Sequence, residues 1–322
     1  MYLEYKVIDN KYTNINQILK QEFKLSARLI HKVISNKLVL LNNIPIDTRT
    51  TPDNGDIIKV DLSYEEENDN IVPTKMELNI LYEDDGLLIL NKPAGIAVHP
   101  SILHFSDSLS NGVRFYFDSI SLKKKIRPVN RLDLDTSGII IFAKTEYVQE
   151  CLIKQMNSHI LKKEYIAIVS GILNEKSGTI NLPISRKAGS IIERCVSQDG
   201  QISITDYSVI KELDNMSVVK CILQTGRTHQ IRVHFSAIGH PLIGDFLYVS
   251  KSDLINRQAL HSYHISFIHP ISNKIMDIYC ELPEDMKKIF NYYWYIFNNL
   301  LKYLYNQKRK YVIKWKKKII KV

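Results

Sequence analysis

The sequence predicts an α+β fold with a mainly antiparallel mixed sheet, and three observations carry that expectation. Short apolar runs of β type recur between residues 76 and 282, punctuated by Gly, Pro, Asn and Asp, with helical stretches interspersed. The chain contains no GxGxxG, no phosphate-binding loop and no internal repeat, so the parallel folds built on such turns are not indicated. Its 322 residues, 45% hydrophobic and 24% charged, have an ordinary globular composition and suffice for about two domains.

The elements follow in order. Residues 14–23 have the apolar spacing of a helix, and Ser26 reads as the N-cap of a second helix over 27–35. Leu29, Ile30, Val33 and Ile34 form the inner face of that helix, with Arg28, His31 and Lys32 turned outward. Two short apolar runs flank the Asn42-Asn43 turn, and Asn54-Gly55-Asp56 turns into the strand Ile57-Ile-Lys-Val-Asp-Leu. Residues 1–62 thus form a small module. The acidic stretch 63–75 has no apolar period and reads as a linker. Over 76–286, strands are expected at 87–90, 138–143, 165–169, 218–223 and 264–268, with a helix over 146–158.

From position 287 a basic, aromatic-rich tail is expected to be helical, because Ile289, Phe290, Tyr293, Ile296, Phe297 and Leu300 keep three–four spacing. Positions 291–322 hold nine basic residues and no acid, while the rest of the chain balances 34 bases against 34 acids. The net charge of +9 therefore resides in the tail and suits nucleic acid or an anionic membrane surface. No apolar run of about 18 residues predicts a membrane span, and the first residues do not read as a signal peptide. Cys151, Cys195, Cys221 and Cys280 are far apart, which suits free thiols in a reducing cytoplasm.

Two segments stand out chemically. Asn130-Arg-Leu-Asp133-Leu-Asp135-Thr-Ser-Gly138 occupies a loop before an apolar strand, where an aspartate can serve as nucleophile, general base or turn cap. Thr225-Gly-Arg227-Thr-His229-Gln230-Ile-Arg232-Val-His234 concentrates two arginines and two histidines. Read as a strand, it turns Arg232 and His234 to one face, and an arginine facing a buried aspartate keeps it ionised. Six of the ten histidines fall between 229 and 269, but without a metal-binding spacing, so no metal is expected.

Together with Ile80 to Gly95, Val98-His-Pro, Lys163-Glu-Tyr165, Gly239-His-Pro and Arg257-Gln-Ala-Leu-His261, these two segments resemble the ordered motifs of the RluA/RluD family of pseudouridine synthases. Residues 14–62 resemble the S4 RNA-binding domain that many members carry. The resemblance covers about residues 1–286 and leaves the tail unmatched; it departs from the family at Asn130, where many members have histidine. It implies a pseudouridine synthase fold and a cofactor-free isomerase of large-subunit ribosomal RNA. It makes Asp133 the catalytic aspartate, Tyr165 the residue stacked on the target base, Arg232 the partner of Asp133, and Arg131 the residue filling the space left by the flipped uridine. Arg227, His229 and Gln230, with Arg28 and Lys32 of the S4-like helix, are the further RNA contacts expected. Asp135 reads as a structural cap. A monomer with no metal, no membrane attachment and no required protein partner is expected. A tRNA pseudouridine synthase and a catalytically inactive RNA-binding protein are the alternatives.

Overall fold

A computed structural model describes residues 1–8, 11–47, 49–68, 70–248 and 252–289. The N-terminal module consists of β1 (Tyr2–Lys6), α1 (Ile15–Gln21), α2 (Ala27–Ser35), β2 (Val39–Leu41), β3 (Ile44–Pro45) and β4 (Ile57–Asp61). Its sheet is antiparallel, in the order β1-β4-β2-β3. The helices start where their caps require: Asn14 accepts from Gln17 N, and the Ser26 hydroxyl accepts from Leu29 N at 3.2 Å. Asn42 and Asn43 both take positive φ, the requirement of a tight two-residue hairpin loop.

The acidic stretch after β4 has neither helix nor strand, yet it is strapped down. Glu66 receives Lys32 Nζ at 2.8 Å and Arg127 Nη2 at 2.7 Å, and Lys32 also lies over the Tyr64 ring. Arg28 and Lys32, the expected RNA contacts of this module, each also pair with Glu146 at 3.2 Å, and the Arg28 side chain stays exposed. The cause lies in tertiary packing, which brings carboxylates distant in sequence onto the outward face of α2. Ser26 joins them by donating to Glu150 Oε1 at 2.7 Å.

The larger domain contains β5 (Ile80–Glu83), β6 (Leu87–Lys92), α3 (Leu109–Ser119), β7 (Ser137–Ala143), α4 (Glu146–Asn157), β8 (Lys162–Ser170), β9 (Ser177–Asn181), β10 (Ile184–Arg186), β11 (Arg194–Val196), β12 (Ile204–Leu213), β13 (Met216–Leu223), α5 (Gln230–Ala237), β14 (Leu260–Ile268), β15 (Ile275–Tyr279) and α6 (Glu284–Ile289). Its main sheet runs β5-β6-β7-β14-β8-β13-β12-β9, with β15 on β14. Only β7 and β14 are parallel, so the sheet is mixed and mainly antiparallel, as expected from the sequence. β7 is buried along its whole length, which explains its unbroken apolar run.

Tyr165, Ala167 and Val169 of β8 pack on one side of the sheet with Leu90, Ile140 and Phe235. Ile166 and Ile168 pack on the other side with Val218 and Tyr263. Among the described residues no helix is long and apolar enough to cross a membrane. The amphipathic helix and basic run expected in the tail lie beyond residue 289, outside the described residues.

Candidate active site

The Asp133 loop is held from three sides. Asn130 is buried and bridges to β7, donating to Ile139 O at 3.1 Å and accepting from Ile141 N at 2.9 Å. Thr136 N closes a turn on Asp133 O. Gly138, at φ +111°, lets the chain pass β14, because a Cβ there would come within 2.1 Å of Ser262 O. Asp135 contributes through its backbone: its carbonyl accepts from Arg257 Nη1 at 3.0 Å.

Beneath the loop, Lys92 is 0% exposed and donates to the carbonyls of Pro93, Ile96 and Leu134 at 2.7–2.8 Å. Burial pushes its pKa down to about 7, against the pull of Asp135 and Asp133. Three carbonyls match three ammonium hydrogens, so the side chain ties the end of β6 to the Asp133 loop. Lys92→Met leaves all three acceptors without that donor, at about 1–3 kcal/mol for each one that stays buried. Urea denaturation should show a loss of at least about 2 kcal/mol, with reduced turnover. Wild-type stability and rate in this variant would show that Lys92 does not hold the loop.

The expected strand across Arg232 is a helix, α5. Ile and Val in alternation with polar residues fit a strand locally, but His229 takes the left-handed conformation (φ 58°) and redirects the chain into a helix. Two residues apart on a helix means about 200°, so Arg232 and His234 diverge. His234 turns to Thr205 Oγ1 and Leu182 O. Arg232 turns to the Asp133 loop, donating to Asp133 Oδ2 from Nη1 at 3.1 Å.

Arg232 is itself clamped by the fully buried Asp245, which accepts from Nε at 2.7 Å and from Nη2 at 2.8 Å. Burial works against the Arg232 charge, but Asp245 and then Asp133 more than offset it and raise its pKa further. The Tyr248 ring covers the guanidinium at 5.2 Å and meets His229 Nδ1 through its hydroxyl at 2.8 Å. Burial, against the pull of Asp133 and with help from Arg232, lowers the His229 pKa, and its Nε2 stands 3.8 Å from Asp133 Oδ2.

Asp133, His229 and Arg232 border a cleft of about 310 Å³, lined also by Arg131, Lys163, Tyr165, Arg227 and Leu260. Tyr165 is buried at its base on β8, and burial raises its phenol pKa well above the ordinary value, so it stays protonated. Asp133 keeps 24% of its side chain exposed. Gln230 faces the cleft but is 3% exposed. Its amide accepts from Arg227 N and Thr225 Oγ1 and donates to Ile204 O and Thr205 Oγ1. The expected RNA contact at Gln230 is therefore an internal brace of the loop. A second cleft of about 430 Å³ adjoins the first across Arg131, Gly226, Arg227 and Thr228, and is lined further by Arg186 and Arg194 of the β10–β11 hairpin. Nothing in the sequence singled out those two arginines.

The clustered histidines have separate partners: His261 meets Ser137, His264 meets Asp277 and His269 meets Asp84. Among the described residues no group of three or more His, Cys, Asp or Glu is placed to hold a metal ion.

The family profile described as RNA pseudouridylate synthase matches residues 86–237, which include the Asp133 loop, Tyr165 and Arg232. The uncharacterized RNA pseudouridine synthase YhcT of Bacillus subtilis (strain 168) is 39% identical over 274 residues, covering 84% of this chain and 90% of its own. The chain belongs to the RNA pseudouridylate synthase family. The ribosomal large subunit pseudouridine synthase D of Zymomonas mobilis is 37% identical over 233 residues, covering 68% of this chain and 73% of the relative. The synthase is thus of the RluA/RluD type, and its activity class is that of an isomerase. Human RNA pseudouridylate synthase domain containing 1 superposes with a TM-score of 0.54 at 25% identity, over 64% of this chain and 83% of that one. The larger domain therefore has the pseudouridine synthase fold.

Proposed function

We propose that this synthase isomerises specific uridines of large-subunit ribosomal RNA, with Asp133 as the reacting carboxylate. The observation that carries this reading is the clamp: a partly exposed Asp133 at the cleft is fixed by Arg232, whose other two hydrogen bonds go to a buried Asp245. A carboxylate so positioned suits attack on C1′ or removal of the 2′ proton, the two ways of loosening the N1–C1′ bond. The uracil then turns and rejoins through C5. Atoms and oxidation state are conserved between uridine and pseudouridine, so the reaction itself calls for no group donor and no redox cofactor.

Extruding the base from its stack costs a few kcal/mol. Tyr165 in the cleft and Arg131 at its mouth are suited to offset that cost by stacking on the flipped base and on the neighbours it leaves. The ribosomal substrate is supported by the relatives named ribosomal large subunit pseudouridine synthase D. The N-terminal module, as an S4-like unit, and the basic tail would add affinity for the RNA. The test is chemical mapping of pseudouridine in ribosomal RNA from strains with and without the gene, followed by restoration with purified enzyme. Loss confined to transfer RNA would overturn the ribosomal assignment.

The arginine-lined second cleft supports a polyanionic substrate independently of Asp133. Replacing Arg186 and Arg194 by Ser should weaken RNA binding, and each phosphate left without its arginine should flatten the salt slope by about 0.7–0.9. Turnover at saturating RNA should stay close to wild type. An unaltered slope would remove the RNA from this cleft.

A further inference from the structure

Lys163 is not engaged by anything described so far. It lies on β8 two residues before Tyr165, so both side chains project from the same side of the strand, and both line the active-site cleft. Among the described residues its ammonium has no hydrogen-bond or ion-pair partner. Burial lowers its pKa with no carboxylate opposing the shift. Its Nζ stands beside Gly226, where an added Cβ would sit 3.5 Å away. Gly226 borders both the active-site cleft and the arginine-lined cleft. The ammonium is therefore a half-buried cation without a counterion, placed where the two clefts meet.

An extruded nucleotide remains tied to its neighbours by phosphodiesters, so a strand with its target base in one cleft and its flank in the other carries a phosphate through that junction. Resting on the reading of the cleft given above, we infer that Lys163 binds the phosphodiester joining the target uridine to its neighbour in the arginine-lined cleft. A non-bridging oxygen would supply the missing negative partner, in a charge-assisted hydrogen bond. The flanking arginines hold the strand from outside, and Lys163 would hold its phosphate at the junction of the two clefts, adding affinity and leaving the chemistry to Asp133.

The test uses the full-length enzyme and a synthetic stem-loop spanning a uridine located by the mapping experiment. Three RNAs are compared: unmodified, with a neutral methylphosphonate on the 5′ side of that uridine, and with one on its 3′ side. Lys163→Met should raise Kd and KM about tenfold or more, the size of a broken charged hydrogen bond, with the single-turnover rate at saturation close to wild type. One of the two methylphosphonates should weaken wild-type binding to a similar extent and leave the Lys163→Met variant unaffected. Lys163→Arg should recover most of the affinity. Removing an unpartnered, half-buried ammonium should leave Tm unchanged or raised, so weak binding cannot be put down to misfolding. Losses that multiply for both methylphosphonates, or wild-type affinity in Lys163→Met, would overturn the assignment. So would a fall in saturated rate at unchanged KM. Turnover by Asp133→Asn in the same assay would instead sink the reading of the active site, while the binding comparison still reports on Lys163.

Discussion

Asp133→Asn is expected to fold and bind RNA like the wild type and to form no measurable pseudouridine, a loss of at least about 10²–10⁴-fold. The amide has the shape of the carboxylate, and its oxygen can still accept from Arg232 Nη1. Arg232 keeps both hydrogen bonds to Asp245, so the frame of the cleft does not depend on the charge of Asp133. The missing ion pair is partly exposed and should change stability by no more than about 1 kcal/mol. What disappears is the ability to attack C1′ or to take a proton. Asp135→Asn is the control: Asp135 joins the loop through its backbone carbonyl, which the substitution leaves in place, so substantial activity should remain. Release of label from C5-tritiated RNA measures both. Turnover by Asp133→Asn above a mock purification would remove Asp133 from the chemistry, and an equally dead Asp135→Asn would show that the loop needs both carboxylates.

What the sequence made legible is what local physics determines. The Ser26 cap, the Asn42-Asn43 turn and the apolar runs of β6, β7, β8 and β13 are each encoded within about ten residues, and the structure places them where they were expected. The Asp133–Arg232 pair was legible only through the family motif, since 99 residues separate its members. Local pattern misled where tertiary partners decide. Residues 230–237 alternate like a strand, but the left-handed His229 and the saturated amide of Gln230 start a helix instead. Arg28 and Lys32 looked like a free basic face because Glu66 and Glu146 are remote in sequence. The hold of Asp245 on Arg232 is recognisable only once the buried guanidinium is seen beside it.

That buried acid makes Arg232→Met the second large effect, and a compound one. Truncating the guanidinium removes the partner of Asp133 and strands Asp245 without a counter-charge in the protein interior. Breaking one side of a buried pair typically costs about 3–5 kcal/mol, so the variant should be markedly less stable by urea denaturation. Turnover should fall by about 10²-fold or more, the scale set by losing one preorganised donor at a reacting group. Stability and chemistry can be separated because they run through different carboxylates. Arg232→Met combined with Asp245→Asn removes the stranded charge and should recover most of the missing stability, while turnover stays low because Asp133 still lacks its donor. Recovery of stability and rate together would mean that the arginine serves only the fold, and that Asp133 is positioned for chemistry by its loop alone.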